Sequence, residues 1–407
     1  MIVALTKDWD DVPTCTTHIL REMGKTMPVL WVGSIGTRKP SAASLKDVRR
    51  ILRRLWRGVL PPERKENHVY VLHPLLIPKA QAAWAVALNR LVFRWYVARF
   101  VRIAFRRCKP LGCRCDNDGE SLPIEYWCFV PNAVDLLPEQ ENGTKVVYYA
   151  ADDWTAFHNL DGAWMESKED ALVRRADVIF ATSDFLVEKL QRVCVRVGRS
   201  GESLVIHMPH GVDHALFEKA LDRSVALPPE LTGMSGPVIG FYGNLHSWID
   251  FSLIEELARK RSAWNFVLIG EDYGVPESLR ACSNVCLLGR REHSVLVDYC
   301  RGFDAAIIPY DMRQERMGSV NPVKTKELLS AGLPVVASAV PALADYGDDV
   351  LLCTDVEQWL DALGHQIEKD ACARAEISAR MRKETWEHKV REIRERLAKL
   401  QDGPGVG

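Results

Sequence analysis

One segment of the 407-residue chain combines residue types and a spacing suited to binding phosphate. Asn321-Pro322-Val323-Lys324 precedes Glu327, and Gly332-Leu333-Pro334 follows. Proline suits the first turn of a helix, whose free N–H groups and dipole attract anions, and Lys324 adds a point charge. Glu327 lies one turn later, where its carboxylate could accept two ribose hydroxyls. The pattern predicts a helix that binds a nucleotide diphosphate; the alternative is an exposed helix whose Lys324 and Glu327 only pair.

A glycine turn is a second candidate for phosphate binding. Gly240-Phe241-Tyr242 forms the end of a predicted strand, and Gly243, Asn244 and Leu245 follow it. Gly243 would let the backbone approach a diphosphate closely, as the first strand-to-helix loop does in nucleotide-binding folds. The turn lacks a full Gly-x-Gly-x-x-Gly pattern. We expect Gly243, Asn244 and Leu245 to contact the nucleotide.

Candidate polar residues also follow two strands predicted in the first half of the chain. Asp152 and Asp153 come directly after the strand over residues 145–149, so their carboxylates would project from the carboxyl end of a sheet. Asp153 could instead cap the following helix. His210 ends the last strand of this half; it could reach a transferred sugar or phosphate, or be a turn residue, while Asp213 is expected to fix the loop.

The elements that must position these residues are short apolar runs alternating with helical patterns, which indicates parallel α/β layering. A first series of strands is predicted over 2–5, 29–32, 69–72, 124–130, 145–149, 178–181 and 204–208. A second series is predicted over 238–242, 266–269, 285–288, 305–308, 334–337 and 350–353. These series predict two doubly wound, Rossmann-like domains that face each other across a ligand-binding cleft.

The turn-rich stretch between the two series predicts the domain boundaries. We expect a first domain over residues 1–210, a linker over 211–235 and a second domain over 236–385. Residues 386–407 are predicted to form the end of a long charged helix, which starts near Ala371, and a frayed tail.

Composition excludes several classes of protein. A hydrophobic content of 47% and a net charge of −1 exclude disordered and collagen-like chains and a polyanion binder by bulk charge. Eleven cysteines, an odd number with irregular spacing, favour a reduced, cytoplasmic chain. The apolar N-terminus is too short for a signal peptide, and charges interrupt the best candidate for a spanning helix.

The charge is unevenly distributed. Between Arg38 and Lys109 there are 18 lysines and arginines and three acidic residues, a net charge of +15. Two amphipathic helices are predicted here, over residues 45–60 and 80–107, with basic and aromatic residues interleaved. They could bind an anionic membrane surface at the inner face of the cytoplasmic membrane, or simply pack on the sheet with solvated arginines. The arginines expected to contact lipid are Arg49, Arg50, Arg53, Arg54, Arg94, Arg99, Arg102 and Arg106.

Other ligands are not expected. No motif supports nucleic-acid binding by the basic segment. The cysteines at 108, 113, 115 and 128 miss the usual spacing of a zinc site, so no metal is expected and the thiols are interpreted as reduced.

The segment Lys-x-x-Glu-Leu-Leu-x-x-Gly-x-Pro-Val-Val resembles the nucleotide-sugar helix of GT-B glycosyltransferases. That resemblance implies two Rossmann-like domains, with the nucleotide-sugar bound by the second and the final helix, near Trp386, crossing back to the first. It also implies that Arg290 and Tyr310, in loops after strands of the second domain, line the pocket for the base.

Four further strings are similar to exopolysaccharide glycosyltransferases of the type of the membrane-associated xanthan glucuronosyltransferase. They lie over residues 93–96, 145–152, 210–214 and 309–324 and span most of the chain in the same order. The resemblance implies that Asp152 is the general base that deprotonates the acceptor hydroxyl. Candidates for contact with a lipid-linked saccharide acceptor follow the first strand: Trp9, Asp10, Thr16, Thr17 and His18.

The chain departs from the retaining GT-B enzymes that carry Glu-x7-Glu. Ser319 stands eight residues before Glu327, and the nearest acid, Glu315, lies four residues further back. The xanthan-type enzymes also lack that acid and invert, so the resemblance favours inversion of the anomeric centre. We expect a UDP-linked donor and no metal, because the helix N-terminus and Lys324 supply positive charge. The alternatives are a nucleotide-sugar epimerase on the same scaffold and a catalytically silent scaffold that binds membranes and partner enzymes.

Overall fold

The computed structural model describes residues 1–11, 14–33, 62–77, 82–108, 123–139, 143–157 and 160–400, with the backbone alone for 103–108, 315 and 316. The chain divides into two compact units. One contains Met1–Met208 and the stretch from Glu392 onward, and the other is Pro209–Arg391.

The first unit is built on a sheet whose central strands are buried apolar runs, as expected where both faces of a parallel sheet are covered. Its strands are β1 (Ile2–Leu5), β2 (Val29–Val32), β3 (Glu63–Glu66), β4 (Val69–Leu72), β5 (Ile124–Cys128), β6 (Thr144–Ala150), β7 (Val178–Ala181) and β8 (Val205–His207). Their spatial order is β3-β4-β2-β1-β5-β6-β7-β8. The edge strand β3 is antiparallel to β4, and the other neighbours are parallel.

Helices of the first unit begin where the sequence offers a capping side chain. Asp161 accepts a hydrogen bond from the backbone of Trp164, and Ser183 accepts one from Leu186, so two helices start directly after these residues. The helices are α1 (Cys15–Met23), α2 (Ala83–Cys108), α3 (Gly162–Arg175) and α4 (Asp184–Arg196).

The second unit contains a six-stranded sheet in which all neighbours are parallel. Its strands are β9 (Val238–Tyr242), β10 (Asn265–Ile269), β11 (Val285–Gly289), β12 (Ala305–Ile308), β13 (Val335–Ser338) and β14 (Val350–Cys353). Their order is β11-β10-β9-β12-β13-β14. The loops after β9, β10, β11 and β12 therefore leave the same edge of the sheet, where ligands of doubly wound folds bind.

Helices flank this second sheet. They are α5 (His214–Phe217), α6 (Phe251–Lys260), α7 (Glu277–Arg280), α8 (Leu296–Gly302), α9 (Val323–Ser330), α10 (Val356–Gln366) and α11 (Ala371–Arg380). The last helix, α12 (Trp386–Lys399), begins in the second unit, and its residues from Glu392 onward belong to the first. Helix α9 ends at Ser330, two residues before Gly332, which has a φ of +71°; a Cβ there would meet the backbone oxygen of Arg374.

Three features differ from the sequence predictions. The stretch 211–235 is part of the second unit, because Phe217, Ala220 and Leu231 are buried in its core. The long C-terminal helix is broken between α11 and α12, where Thr385 pairs with Val212. Strand β3 was not predicted, because its four residues are all charged.

Candidate active site

Lys324 is a half-buried cation in the first turn of α9. Its Nζ lies 4.4 Å from the centre of the Phe241 ring and 5.7 Å from that of Tyr310. Desolvation lowers the pKa of Lys324 to about 8, although Glu327 acts to raise it. In the parts of the chain that the structure describes, no carboxylate forms an ion pair with Lys324. A cation in this state gains strongly from a bound anion.

Gly243 lies directly against Lys324, as a phosphate-binding turn requires. Its φ is +141°, and a Cβ there would collide with the Nζ of Lys324. The backbone N–H of Gly243 donates to the oxygen of Ile269 at 2.8 Å, and Gly270 leaves room for the carbonyl of Gly243. The structure thus brings Gly243 and Lys324 together at the carboxyl edge of the second sheet.

Glu327 is buried on the same helix but does not pair with Lys324. The hydroxyl of Tyr242 donates to its Oε2 at 2.9 Å, and Nε2 of His293 lies 2.7 Å from its Oε1. The alternative of an exposed Lys–Glu pair is therefore wrong for this helix. Whether Glu327 accepts ribose hydroxyls stays a prediction.

The remaining residues predicted to bind the nucleotide differ in how exposed their side chains are. Tyr310 is buried beside Lys324, and Asn321 is half-buried two residues before α9. Asn244 is exposed directly after Gly243. Arg290 is exposed after β11, with Glu271 at 3.9 Å. Leu245 differs: its side chain lies in the hydrophobic core, so that only its backbone remains for ligand contact.

His210 is buried at the start of the second unit. Its carbonyl accepts a hydrogen bond from Lys326 at 2.7 Å, and its ring lies 6.4 Å from that of Trp386. Asp213 accepts a hydrogen bond from the backbone of Leu216 at 3.1 Å and so caps α5. Asp213 therefore fixes the loop, as expected.

Asp152 and Asp153 have different surroundings although they are adjacent. Asp152 is exposed, and no side chain in the described ranges hydrogen-bonds to it. Its pKa is raised by partial desolvation and by Asp153, while Lys7 opposes the rise. A carboxylate with a raised pKa and free acceptor positions is suited to take up a proton.

Asp153 instead has a structural role, because its carboxylate is bound by neighbouring side chains. Burial acts to raise its pKa, but hydrogen bonds from Lys189 at 2.7 Å and from the hydroxyl and backbone N–H of Thr155 hold the pKa below its ordinary value. Lys189 also pairs with Glu169 at 2.8 Å, and Glu169 accepts a hydrogen bond from Tyr148. Asp153 thus anchors the loop that carries Asp152.

The residues predicted to contact the acceptor are only partly available. Thr16 and Thr17 are buried in α1, and the hydroxyl of Thr17 already accepts the backbone N–H of Thr14 at 3.2 Å. Trp9 is half-buried beneath the guanidinium of Arg21. Asp10 is exposed and His18 half-buried, so these two and Trp9 keep accessible surface.

Helix α2 carries an exposed stripe of apolar and basic residues. Trp84, Leu91 and Trp95 are 68%, 67% and 56% exposed. The guanidinium of Arg99 lies 5.5 Å from the ring of Trp95, and Arg94 and Arg102 are exposed on the same helix. Two other aromatic residues of this helix, Phe93 and Phe100, are buried in the core of the first unit.

Part of the predicted basic surface lies outside the described residues. This holds for the predicted helix over residues 45–60 with Arg49, Arg50, Arg53 and Arg54, and for the side chain of Arg106. Cys113 and Cys115 of the cysteine cluster also lie outside the described residues. Within the described ranges, none of the helices has the length and apolar character needed to span a bilayer.

Sequence patterns did not reveal that Tyr242 and His293 contact Glu327. In the sequence Tyr242 is only a neighbour of the glycine turn, and His293 belongs to no motif. His293 opens a short helical turn after β11, at the edge that also carries Gly243. Its position after a predicted strand of the second sheet could have indicated that His293 lies near the candidate site.

The fold and the candidate site can now be compared with those of known proteins. Two parallel-sheet α/β domains with these strand orders have the GT-B fold of glycosyltransferases, which confirms the predicted fold class. Residues 236–369 match the family model described as Glycosyl transferases group 1. The segment of Lys324 and Glu327 lies inside this match.

One curated relative is a putative teichuronic acid biosynthesis glycosyltransferase, TuaH, of Bacillus subtilis (strain 168). The two are 30% identical over 223 residues, which are 51% of this chain and 53% of the relative. The chain thus spans about half the length of the curated relative it matches. This similarity supports a glycosyltransferase and gives no support to an epimerase, while the likeness to the xanthan-type enzyme stays a prediction from sequence motifs.

Solved structures share the fold at low sequence identity. Sucrose-phosphate synthase from Thermosynechococcus elongatus has a TM-score of 0.65 at 15% identity and covers 99% of this chain and 100% of that one. Anabaena HepE in complex with UDP and glucose has a TM-score of 0.59 at 14% identity, with 99% of both chains covered. An α,α-trehalose-phosphate synthase (UDP-forming) from Burkholderia vietnamiensis has 0.63 at 13%, with 98% of both covered.

Proposed function

We propose that this chain is a glycosyltransferase that moves a sugar from a nucleotide diphosphate donor to a hydroxyl acceptor. The observation that carries the proposal is the Lys324 ammonium group, desolvated and packed against Gly243 within the group 1 domain. An anion bound there would compensate the ammonium group for the hydration that it loses on burial. The UDP complexes of a structural neighbour support a UDP-linked donor.

Lys324 and the first turn of α9 would act on the leaving group. As the bond between the anomeric carbon and the phosphate oxygen breaks, the diphosphate takes the electron pair and gains negative charge. The ammonium group and the helix N-terminus stabilise that charge without reorganisation. We therefore propose that departure of the diphosphate requires no metal ion.

Asp152 would act on the other substrate. The acceptor hydroxyl gives its proton to the Asp152 carboxylate while its oxygen forms the new bond to the anomeric carbon. A single displacement of this kind inverts the anomeric centre. The exposure of Asp152 and the commitment of Asp153 to Lys189 and Thr155 support Asp152 as the base.

The acceptor we propose is a lipid-linked saccharide at the inner face of the cytoplasmic membrane. The stripe on α2 supports this, because exposed tryptophans beside arginines suit the interface of an anionic bilayer. The relative from teichuronic acid biosynthesis and the xanthan-type motifs support a role in assembling an extracellular polysaccharide. Trp9, Asp10 and His18 remain the candidate acceptor contacts.

Donor binding is the first test. Calorimetry with UDP, GDP and their common sugar conjugates would be performed on the wild type and on Lys324→Ala, with Lys260→Ala, an exposed lysine of the second unit, as the matched control. We expect one nucleotide to bind tightly to the wild type and to the control, and much more weakly to Lys324→Ala. Binding of no nucleotide by the wild type would overturn the proposal and favour a catalytically silent scaffold.

A further inference from the structure

The carboxylate of Glu327 is held by two side chains that come from different elements. Tyr242 is the last residue of β9, and its hydroxyl donates to Oε2 at 2.9 Å. His293 opens the turn after β11, and its Nε2 lies 2.7 Å from Oε1. Since an ionised carboxylate can only accept hydrogen bonds, Nε2 of His293 carries the proton. Each carboxylate oxygen thus receives a donor from the protein.

A buried aromatic residue fixes both partners. The ring of Phe217, from α5, is stacked with that of Tyr242 at 6.5 Å and meets the ring of His293 edge-on at 5.5 Å. Phe217 and Tyr242 are buried, whereas His293 keeps about a third of its side chain accessible. Packing therefore limits the rotamers of the two donors, and the donors in turn limit those of Glu327.

The arrangement is compatible with a ligand on the same carboxylate. A carboxylate has about four acceptor positions on its two oxygens, and Tyr242 and His293 each occupy one of them. The hydrogen bond to Glu327 raises the pKa of His293, because the carboxylate stabilises the charged imidazolium. A pair of vicinal hydroxyls fits two acceptor oxygens held in a fixed plane.

We propose that Tyr242 and His293 are positioning residues that orient the Glu327 carboxylate toward the ribose hydroxyls of the donor, and so set the preference for a ribonucleotide. This inference rests on the proposed function, because it assigns Glu327 to the ribose of the donor bound at Lys324. Without the hydrogen bonds from Tyr242 and His293, Glu327 would have to give up more rotamer freedom on binding, which weakens the ribose contacts and leaves the diphosphate contacts intact.

The experiment compares affinities for UDP and for its 2′-deoxy and 3′-deoxy analogues by calorimetry. The variants are Tyr242→Phe, which removes only the hydroxyl, His293→Ala, and His293→Gln, whose amide keeps an N–H donor. Glu327→Gln gives the affinity ratio without a carboxylate. Arg291→Gln is the matched control, because Arg291 lies on the same loop but contacts Tyr299 and Glu230.

We expect the wild type to prefer UDP over each deoxy analogue by about tenfold or more, since a hydrogen bond to a charged group is worth at least that factor. Tyr242→Phe and His293→Ala should reduce the preference severalfold, His293→Gln should restore most of it, and Arg291→Gln should leave it unchanged. Circular dichroism and thermal unfolding verify that each variant is folded.

The outcomes separate this inference from the proposed function. If the wild type binds no UDP, the proposed function fails. If it binds UDP without preference over the deoxy analogues, or if folded Tyr242→Phe and His293→Ala keep the wild-type preference, the positioning role is wrong while the donor site stands.

Discussion

A side chain at Gly243 would collide with the ammonium group of Lys324. The two residues are far apart in the sequence, yet the ammonium group of Lys324 lies directly against the backbone of Gly243. Gly243 has a φ of +141°, which L side chains rarely adopt. The glycine turn and the helix of Lys324 are therefore one site, in which the backbone and the cation can approach the same anion.

This relationship predicts the effect of Gly243→Ala. The methyl group would strain the backbone and displace the lysine head, so affinity for UDP should fall by roughly tenfold or more. Calorimetry on Gly243→Ala, Lys324→Ala and the double variant measures the coupling. The second substitution should cost much less affinity once the first is present. Full additivity of the two losses would contradict a shared site.

The lowered pKa of Lys324 predicts the pH dependence of donor binding. Below pH about 8 the ammonium group is charged and ready for an anion. Above that pH the free protein must take up a proton to bind, so the affinity for UDP should fall, by at most about tenfold per pH unit. Calorimetry from about pH 7 to about pH 9.5 measures the change on both sides of this pKa.

Lys324→Met is the control for the titration of Lys324, since it removes the titrating group and keeps much of the side-chain volume. Its weaker affinity should vary little above about pH 8, and the variation that it does show belongs to the ligand and to other groups. Equal slopes for the wild type and Lys324→Met would show that Lys324 does not titrate in the binding step.

Lys189 is predicted to stabilise the loop of the candidate base. Its ammonium group pairs with Asp153 and with Glu169, of which Glu169 is 2% exposed. Lys189→Met would leave two carboxylates close together without a cation, which should lower the free energy of unfolding by about 3–5 kcal/mol. Urea denaturation at about pH 7 gives the value.

The matched control for Lys189 lies on the same helix. Arg192→Ala removes an exposed pair with Glu188 and should change the free energy of unfolding by less than about 1 kcal/mol. In the Lys189→Met background, Glu169→Gln should recover part of the loss, because it removes one of the unpaired charges. No difference between Lys189→Met and Arg192→Ala would refute the role of the buried pair.

The adjacent aspartates make opposite predictions for activity. Asp152→Asn should lower kcat by about 10²- to 10⁴-fold and leave the affinity for the donor unchanged, since a general base acts on the acceptor. Asp153→Asn should mainly reduce stability, because Asp153 caps the turn and pairs with Lys189. The measurement requires an acceptor substrate, and the anomeric configuration of the product by NMR tests inversion. Equal losses of kcat in both folded variants would contradict the assignment of the base.

The sequence was sufficient to predict most of the fold, because both sheets consist of short apolar runs that repeat between helices. Strand β3 was not predicted, because an exposed edge strand needs no apolar face and its four charged residues do not form an apolar run. The stretch 211–235 has no regular period, yet a few apolar residues within it complete the core of the second unit. Such packing depends on the tertiary fold, which local patterns do not encode.

The site was predicted in part for a similar reason. Lys324 and Gly243 each follow a recognisable local pattern, and their contact could be inferred from the fold. Tyr242 and His293, which contact Glu327, come from β9 and from the loop after β11, and Phe217 of α5 packs against both. No sequence spacing links these three elements. Leu245 shows the converse: its place in a binding loop did not reveal that its side chain belongs to the core.

The stripe on α2 predicts binding to anionic vesicles. Trp84, Leu91 and Trp95 would enter the interface, and Arg94, Arg99 and Arg102 would meet the headgroups. Replacing the three apolar residues by serine should reduce cosedimentation with anionic vesicles at every salt concentration. Replacing the three arginines by glutamine should reduce it mainly at low salt, where each arginine near the surface contributes about 1 kcal/mol.

The control removes the same charge from exposed arginines of other elements, with glutamine at Arg192, Arg259 and Arg313. This triple variant should bind vesicles as the wild type does, since the contact depends on the stripe and not on net charge alone. If both arginine triples lose binding equally, the attraction is unspecific and α2 is not the contact surface. If the wild type ignores anionic vesicles altogether, a membrane-bound acceptor loses its structural support while the donor site and its tests are unaffected.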